Sequence, residues 1–347
     1  MIQALREQQI QSGGQTETID GQEIIASYGQ EQEAIDAALN QVAICDRSHW
    51  GRIELSDSDR QSFLHNQSSN QIKTLQAGQG CETVILTSTA RTIDLVTAYC
   101  KEKSLLLLVS PNQDEKLMQW FDRYIFFQDK VKLTNITTST GCVSVMGPKG
   151  TDLLSQLGWE LPEESHSHTQ VEFEGESLTI AKGSGLTTEG YTLIFGEAIA
   201  ASLWSKLTSL GAVPLGETGW EELRIQQGRP KATIELTDDY NPLEAGLWHL
   251  IAFDKGCYIG QETIARLDTY DGVKQKLWGL ESSSTLQAGD VITVDEKKVG
   301  VVTSVLADGK TGLGYVKTKA GGEGDQVTIG EAIATIIEVP FLTRQKL

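Results

Sequence analysis

The chain has 347 residues, of which 39% are hydrophobic and 22% charged, a composition typical of a globular protein with two or three domains. Its 29 Lys and Arg residues against 47 Asp and Glu residues give a formal net charge of −18, which repels phosphate backbones and argues against direct nucleic-acid binding. The longest apolar runs, such as SLLLLVS at 104–110, are far shorter than the roughly 20 residues of a membrane helix, so no membrane association is expected.

The N-terminal segment and the cysteines predict the compartment. The stretch MIQALREQQIQSGGQTETIDG has no apolar core and contains acidic residues, so it matches neither a secretory signal nor a good transit peptide. The five cysteines are scattered, odd in number and without the spacing of a zinc site. Reduced thiols and a cytoplasmic location are therefore expected.

A first α+β block is predicted up to about residue 140. The apolar residues of QEQEAIDAALNQVAICDRS recur with the period of an amphipathic helix, and WGRIELS alternates like a half-buried strand. The stretch SDSDRQSFLHNQ predicts a second helix, and NQDEKLMQWFDRYIF predicts a third. Three further strands are predicted at GCETVILTS, TIDLVTAYC and KSLLLLVS.

A second block of the same kind follows. The stretch GCVSVMGPKGTDLLSQLG predicts a strand, a turn and a short helix, and GESLTIAKGS and GYTLIFG predict a pair of strands. The stretches EAIAASLWSKLTSLG and TGWEELRIQQG predict two helices. In the latter, Thr218 and Glu221 fit a capping box, and Gly228 fits the residue that ends the helix.

From about residue 275 the chain changes character, because short apolar stretches separated by glycines replace the helical patterns. This pattern predicts a small all-β barrel or sandwich. We therefore expect an α+β fold with a C-terminal β-barrel domain at 275–347. Residues 1–274 would form two interleaved α+β subdomains that divide near residue 140.

Two short motifs have ordinary structural explanations. The stretch GPKGT (147–151) lacks the spacing of a phosphate loop, so a turn between a strand and a helix is favoured. His166 and His168 lie in the polar stretch PEESHSHTQ with no cysteine nearby, so a solvated loop is favoured over a pair of metal ligands. No metal site is expected.

Two charged residues inside predicted elements leave function and structure open. Asp94 lies within the apolar strand TIDLVTAYC, where an unpaired carboxylate is costly to bury, so it either lies at the strand's open end or is held for a purpose. Structural ion pairs also bury carboxylates, so the pattern does not decide for function. Arg224 lies three residues after Glu221 on a helix. It either forms a surface pair with that residue or binds the carboxylate of a ligand.

Cys257 lies between two glycines in DKGCYIGQE (254–262). Gly256 and Gly260 allow backbone conformations that other residues avoid, and Lys255 together with a following helix would favour a thiolate. From the residues alone, a nucleophile, a metal ligand and a tight turn entering the helix QETIAR all stay open, and the turn is favoured.

The stretch from Lys255 to Glu262 matches K-G-C-[FY]-x-G-Q-E at every position. On this motif the chain resembles the YgfZ family, folate-binding proteins related to the aminomethyltransferase (T-protein) of the glycine cleavage system. The resemblance runs from about residue 45 into the C-terminal barrel. Further matching stretches are RSHWGRIELSDSDRQSFLHNQSSNQIKTLQAGQG, GLTTEGYTLI, EELRIQQGRP and NPLEAGLWHLIAFDKGCYIGQE.

The resemblance implies a T-protein-like multidomain fold around a central channel that holds tetrahydrofolate or a one-carbon derivative. Local alignment carries the T-protein's aspartate near the folate, its glutamate and its arginine onto Asp94, Glu189 and Arg224. Lys255 and Gly256 are expected next to the same cofactor. Asp94 and Cys257 are the catalytic candidates, with Cys257 as a functional thiol at the channel.

The chain also departs from the T-protein pattern. Thr89 and Ala90 replace the Gly-Gly before the aspartate, and the T-protein lacks the signature cysteine. The resemblance therefore implies a tetrahydrofolate-binding protein that supports iron–sulfur cluster assembly or repair and, indirectly, tRNA thiomodification. Its partners would be iron–sulfur proteins or assembly factors. Two alternatives stay open, a tetrahydrofolate-dependent aminomethyltransferase and a folate reservoir without turnover.

Overall fold

A computed structural model describes residues 2–346, which divide into two compact units. The first unit comprises the described residues up to Leu64 together with Ile72–Glu82 and Val96–Glu221. The second comprises His65–Gln71, Thr83–Leu95 and the described residues from Glu222 onward. Neither unit is continuous in sequence, so the expected domains 1–274 and 275–347, with a division near 140, stay a prediction.

Residues 2–346 contain eight α-helices, none of them long and apolar enough to cross a bilayer. The helices are α1 (Gln3–Gln11), α2 (Glu31–Asn40), α3 (Arg60–Gln67), α4 (Asp114–Asp122), α5 (Gly150–Ser155), α6 (Ala200–Ser209), α7 (Glu217–Gln227) and α8 (Gln261–Thr269). Short 3-10 turns lie at Thr137–Ser139, Glu197–Ile199 and Trp248–Leu250.

The same residues contain nineteen β-strands. In chain order they are β1 (Gln15–Ile19), β2 (Gln22–Ser27), β3 (Ala43–Asp46), β4 (Trp50–Ser56), β5 (Gly80–Leu86), β6 (Thr92–Cys100), β7 (Ser104–Pro111), β8 (Lys132–Asn135), β9 (Thr140–Met146), β10 (His168–Phe173), β11 (Glu176–Lys182), β12 (Gly190–Gly196), β13 (Val213–Leu215), β14 (Gln275–Ser282), β15 (Val291–Val294), β16 (Lys297–Val305), β17 (Thr311–Lys317), β18 (Gln326–Ile329) and β19 (Ala332–Ile337).

A six-stranded sheet in the order β10-β11-β12-β9-β3-β13 organises the first unit. Its neighbouring strands are antiparallel except for the parallel pair β3 and β13. Leu203 and Leu207 of α6 lie one helical turn apart and share a buried core with Val143 of β9 and Leu5 of α1. Burial of this apolar stripe against the sheet accounts for the position of both helices.

A five-stranded sheet has the order β5-β6-β7-β4-β8. Every residue of β6 is buried, and so is every residue of β7 before Pro111. Strands that are covered on both faces read as continuous apolar runs, which is the pattern of TIDLVTAYC and SLLLLVS. The single carboxylate in this run, Asp94, is fully buried.

The C-terminal strands close into a barrel in the order β14-β17-β16-β15-β18-β19. Strand β14 pairs with β17 along one edge and with β19 along the other, which completes the ring. Alternate side chains fill its interior, among them Leu280, Ile292, Val302 and Ile336. The predicted α+β fold with a C-terminal β-barrel is confirmed.

Two segments of polar composition differ from the sequence analysis. The N-terminal segment, for which no element was predicted, forms α1 and the hairpin of β1 and β2. Helix α7 begins at Glu217, and the carbonyl of Gly216 already accepts the N–H of Trp220. Thr218 therefore lies inside the helix and the predicted capping box is wrong, whereas the helix end before Gly228 (φ 81°) is confirmed.

Candidate functional site

Lys255 fixes the signature segment, residues 254–262, to the end of α3 in the second unit. Its Nζ donates hydrogen bonds to the carbonyl oxygens of His65 at 2.7 Å, Ser68 at 2.6 Å and Asn70 at 2.7 Å. An ammonium carries three N–H donors, and carbonyls at a helix C-terminus attract a cation, so these contacts form a well-matched set. Lys255 as a direct contact to a cofactor stays a prediction, since its donors serve protein acceptors in this arrangement.

Backbone hydrogen bonds reinforce this attachment on both sides of Lys255. The N–H of Ala252 donates to the carbonyl of Ser69 at 3.0 Å, and the N–H of Ile259 donates to the carbonyl of Asn66 at 2.8 Å. The Ser69 hydroxyl donates in turn to the carbonyl of Leu250 at 2.7 Å. The signature segment is therefore held against residues 65–70 along its length, as a supported site requires.

Gly260 precedes α8 in the left-handed conformation, with φ 82°. A Cβ at this position would lie 2.8 Å from the carbonyl oxygen of Thr87 and 3.0 Å from Cα of Ala90. Glycine is therefore required both for the backbone angle and for the close approach of the 87–90 turn. Gly256 lies outside the left-handed region, and a Cβ there would meet nothing closer than Nε2 of His65 at 3.9 Å.

The five cysteines differ sharply in access. Cys45, Cys100 and Cys142 are buried and Cys81 is half-buried, whereas Cys257 is exposed. Burial raises the pKa of the Cys45, Cys100 and Cys142 thiols, which keeps them protonated and unreactive. Cys257 is thus the thiol that a reagent or a partner protein reaches most readily.

Tyr258 explains why Cys257 faces outward. The tyrosine ring is buried in a core that includes Val84, Leu250 and Tyr315, and burial raises its pKa to about 12. Its ring centroid also lies 4.7 Å from Nζ of Lys255, within the range of a cation–π contact. Since Lys255 and Tyr258 both point inward, the exposed residues between them are Gly256 and Cys257.

Asp94 is a fully buried carboxylate on β6, in the second unit. Its Oδ1 accepts a hydrogen bond from the backbone N–H of Leu95 at 2.9 Å. The strand start is anchored by Thr92, whose hydroxyl lies 3.2 Å and 3.1 Å from the carbonyls of Thr237 and Tyr240. A carboxylate fixed in this way can accept further N–H donors from a ligand, but its catalytic and cofactor-binding roles stay predictions.

Arg224 takes part in a buried ionic network in the second unit. Its Nη1 lies 3.2 Å from Oε2 of Glu235, and its Nη2 donates to the hydroxyl of Ser304 at 2.9 Å. The Ser304 hydroxyl lies 2.6 Å from Oε1 of the same glutamate. Glu235 was not a candidate from the sequence. Its presence gives Arg224 a structural role, and the contact of Arg224 with folate stays a prediction.

Two stacked tyrosines extend this network. The hydroxyl of Tyr315 donates to the carbonyl of Glu235 at 2.8 Å, and the Tyr240 ring lies parallel to the Tyr315 ring at 3.5 Å. Burial, followed by the nearby Glu235 carboxylate, raises the pKa of Tyr315 well above its ordinary value. Tyr315 is therefore a neutral hydrogen-bond donor throughout the physiological range.

Glu189 belongs to the first unit, at the end of the stretch GLTTE. Its side chain is exposed, and its backbone carbonyl accepts the N–H of Gly147 at 2.8 Å. The hydroxyl of Ser184 donates to the carbonyl of Thr188 at 2.6 Å, which holds the residue before Glu189 in place. Its role as a folate ligand stays a prediction.

Arg47 binds the chain just before the stretch GLTTE, and it was not a candidate from the sequence. Its guanidinium is 1% exposed and lies 3.6 Å from the ring centroid of Trp50 and 4.4 Å from that of Trp220. Its Nη1 donates to the hydroxyl of Ser144 and the carbonyl of Ser184, both at 3.0 Å. The arginine three residues before Trp50 in DRSHW is the part of this arrangement that the local sequence shows, whereas Trp220 is distant in the chain.

The candidates therefore divide between the two units. Asp94, Arg224, Lys255, Gly256 and Cys257 lie in the second unit, and Glu189 lies in the first. Within the second unit, the signature segment meets the 87–90 turn that precedes Asp94, while Arg224 contacts Ser304 of the barrel. Among residues 2–346, no three His, Cys, Asp or Glu side chains are grouped to hold a metal ion.

Comparison with known proteins supplies a family context. Residues 5–255 match the model of the GCVT N-terminal domain family. The chain is 44% identical over 341 residues to At1g60990, a chloroplastic protein of Arabidopsis thaliana named only as a transferase, covering 96% of this chain and 78% of that protein. It is 25% identical to an aminomethyltransferase of Halalkalibacterium halodurans, covering 96% of each.

A solved structure shows the same fold. The glycine cleavage system aminomethyltransferase T of Bartonella henselae superposes with a TM-score of 0.87 over 99% of this chain and 98% of that chain, at 19% sequence identity. The chain therefore has the T-protein-like fold that was expected. The location of At1g60990 is stated for that protein, and the cytoplasmic location of this chain stays a prediction.

Proposed function

The chain belongs to the GCVT N-terminal domain family, and from this membership we propose that it is a tetrahydrofolate-binding protein of the YgfZ type that supports iron–sulfur cluster assembly or repair. Aminomethyltransferases of the family bind tetrahydrofolate, which is the cofactor of this fold. Beyond folate binding, we propose a role for Cys257 in the signature segment.

The exposed thiol of Cys257 carries the proposal. Lys255 and Tyr258 hold the signature segment in place on either side of it, so the thiol is presented at a defined position. A structural cysteine in a packed turn would be buried, as Cys45 and Cys142 are. Presentation of a thiol on a rigid support is the arrangement that a functional cysteine requires.

The second unit contains a group that fits a reduced folate. The Asp94 carboxylate is fully buried on β6, and its Oδ1 accepts the backbone N–H of Leu95. A pterin ring offers several N–H donors, and a carboxylate accepts such donors in charge-assisted hydrogen bonds. Asp94 would hold the cofactor, which would carry the one-carbon unit when bound. Glu189, in the first unit, stays a separately predicted folate ligand.

The cluster or iron is the cargo in this proposal. A single thiolate supplies one ligand, whereas iron–sulfur clusters in proteins take four, so Cys257 would share an iron with ligands of a partner protein. The thiol must lose its proton to bind the metal, and its exposure allows that proton to leave to solvent. Partners would therefore be iron–sulfur proteins or assembly factors, and any effect on tRNA thiomodification would be indirect.

The test is Cys257→Ser, which keeps the size of the side chain and removes the thiol. In a deletion strain we expect this variant to fail to restore iron–sulfur enzyme activity, while its unfolding midpoint and tetrahydrofolate affinity stay at wild-type values. Asp94→Asn is the complementary variant. It should weaken tetrahydrofolate binding by about tenfold to a hundredfold, the effect of losing one charge-assisted contact. Full rescue by Cys257→Ser would contradict the role of the thiol.

A second candidate is a tetrahydrofolate-dependent aminomethyltransferase, and the buried Asp94 favours it. A carboxylate fixed in an apolar strand can orient or deprotonate a reacting amine, as general acid–base catalysis requires. An assay for aminomethyl transfer to tetrahydrofolate decides between the two candidates. Turnover that Asp94→Asn abolishes and Cys257→Ser leaves intact would favour the transferase.

A further inference from the structure

A cleft of about 660 Å³ lies in the first unit, and none of the residues discussed above as folate ligands lines it. Three chain segments line it: the turn at Ala77 and Gly78, the 101–104 connection between β6 and β7, and the start of β10 at His168. This volume is within the range of small-molecule sites, about 300–1,000 Å³. The segments are joined by hydrogen bonds from the N–H of His168 to the carbonyl of Gly78 at 2.7 Å and from the N–H of Gly78 to the carbonyl of Cys100 at 2.9 Å.

His168 is the unusual residue of this cleft. Its side chain is buried to more than nine-tenths, with the ring edge against Tyr99 at a centroid distance of 5.5 Å. Its Nδ1 is enclosed and has no hydrogen-bond partner among residues 2–346. Burial, followed by the nearby Lys101 ammonium, lowers the pKa of His168 to about 4, so the ring is neutral at pH 7.

The enclosed Nδ1 decides where the single proton of the neutral ring lies. An enclosed N–H without an acceptor is costly, so the proton belongs on Nε2. Nε2 is consequently a donor with a fixed direction, since Tyr99 and the hydrogen bond to Gly78 hold the residue in place. A neutral N–H donor that is held in one direction inside a cleft determines where the acceptor atom of a ligand binds.

The charges that line the cleft oppose the charge of the whole chain. Two ammonium groups, Lys101 and Lys103, face one carboxylate, Glu102, in a protein whose net charge is −18. Lys101 is half-buried, and burial lowers its pKa while the nearby Glu54 carboxylate raises it. Lys103 is exposed. Within the lining itself the two ammonium groups outnumber the one carboxylate, and such an excess attracts small anions.

We propose that this cleft binds a small molecule through an oxyanion group, a carboxylate or a phosphate, held by Lys101, Lys103 and His168. The lysines supply the charge and Nε2–H of His168 supplies the direction. Thr169 lies in the same lining and adds a further polar residue. The stretch HSH, which the sequence marked as a solvated loop or a pair of metal ligands, thus provides an anion-binding residue.

The experiment titrates the full chain with inorganic phosphate and, separately, with succinate at constant ionic strength, and follows the ring signals of His168 by NMR. We expect saturable shifts with at least one probe, and the probe that binds identifies phosphate or carboxylate as the source. Lys101→Met combined with Lys103→Met should weaken binding by about tenfold to a hundredfold, because charge-assisted contacts are lost. His168→Phe should weaken it without any change of charge.

The matched control is Lys116→Met combined with Lys319→Met, which removes two exposed lysines outside the cleft. It should leave the affinity within about twofold, since neither lysine lines the cleft and interactions between exposed charges are weakened by screening at about 0.1 M salt. The absence of saturable shifts with both probes, or equal weakening in the two lysine pairs, would overturn the proposal. Tetrahydrofolate affinity should stay at the wild-type value in both double-lysine variants and in His168→Phe, which separates this site from the proposed function.

Discussion

Arg224 and Glu235 form an ion pair of 3.2 Å between side chains that are 3% and 0% exposed. Burial of two charges is favourable only when surrounding groups satisfy the remaining donors and acceptors. Ser304 does so for both partners, and Tyr315 donates to the backbone carbonyl of Glu235. A substitution at Glu235 therefore measures how much this ion pair contributes to the free energy of unfolding, while Arg224 itself stays in place.

The first prediction concerns this pair. Glu235→Gln leaves the Arg224 charge buried without its counter-charge, so we expect a loss of roughly 3–5 kcal/mol in the free energy of unfolding. Urea denaturation measures it. Glu338→Gln is the control, because Glu338 is 39% exposed in its 3.3 Å pair with Arg344 and should cost about 0–1 kcal/mol. Equal losses in the two variants would contradict the prediction.

The second prediction concerns the anchor of the signature segment. Lys255→Met removes three hydrogen bonds to carbonyls and leaves the acceptors at His65, Ser68 and Asn70 without their donor. We expect a destabilisation of at least about 3 kcal/mol, since each bond to a charged group contributes roughly 1.5–3 kcal/mol. Lys319→Met, at an exposed lysine, is the matched control. Hydrogen exchange should quicken at the N–H of Ile259, and an unchanged rate there would argue against the anchor.

The third prediction compares the two glycines of the signature. Gly260→Ala places a Cβ 2.8 Å from the Thr87 carbonyl at φ 82°, so we expect a loss of about 1–3 kcal/mol from backbone strain. Gly256→Ala has open space and an ordinary φ, and its unfolding midpoint should stay at the wild-type value. A lower folate affinity in Gly256→Ala at full stability would support the predicted contact of Gly256 with the cofactor.

The fourth prediction concerns thiol access. Native protein treated with iodoacetamide should be labelled first at Cys257, whereas Cys45 and Cys142 should react only after unfolding, because both are buried. Peptide mass spectrometry over time measures the order. The Cys257→Ser protein should lose the fast phase and keep the slow ones. Labelling of Cys142 before Cys257 in the native protein would be incompatible with this structure.

The fifth prediction concerns pH. The folded-state pKa of His168, about 4, lies below the ordinary value of 6.5, so between these values the unfolded chain binds a proton that the folded chain does not. Stability from this residue is complete above pH 6.5, falls as the pH decreases towards 4 and levels off below. The loss has an upper limit of about 3 kcal/mol. Denaturation of His168→Gln and wild type across this range should show a smaller slope in the variant, and identical slopes would count against it.

Features with local causes could be predicted from the sequence. Gly228 ends a helix at φ 81°, and the glycine-separated strands from Gln275 onward form the expected barrel. Helix ends at glycines and the alternation of apolar residues in strands depend on a few neighbouring residues. The local sequence is therefore enough to predict them. The exposure of Cys257 also has a local cause, because Lys255 and Tyr258 near it in the chain are buried.

Features with distant causes could not be predicted. The acceptors of Lys255 lie at residues 65–70, and Arg224 meets Ser304 of the barrel, so neither set of partners is visible in a local window. Helix α1 buries Leu5 and Gln9 among otherwise polar residues, a pattern too weak to indicate a helix without the sheet that covers it. Tertiary packing decides these cases.

The core of the second unit contains residues that lie far apart in the sequence. Val84 and Leu95 pack in one cluster with Val339, Phe341 and Leu342. On a ribosome that adds about 5–20 residues per second, the early strands must wait for residues 339–342 before this core can close. Folding of the unit therefore requires synthesis through Leu342, and ribosome-bound chains that stop before Val339 should be cut by protease within it. During that interval the apolar strand ends of β5 and β6 are the part of the nascent chain that a holding chaperone would protect.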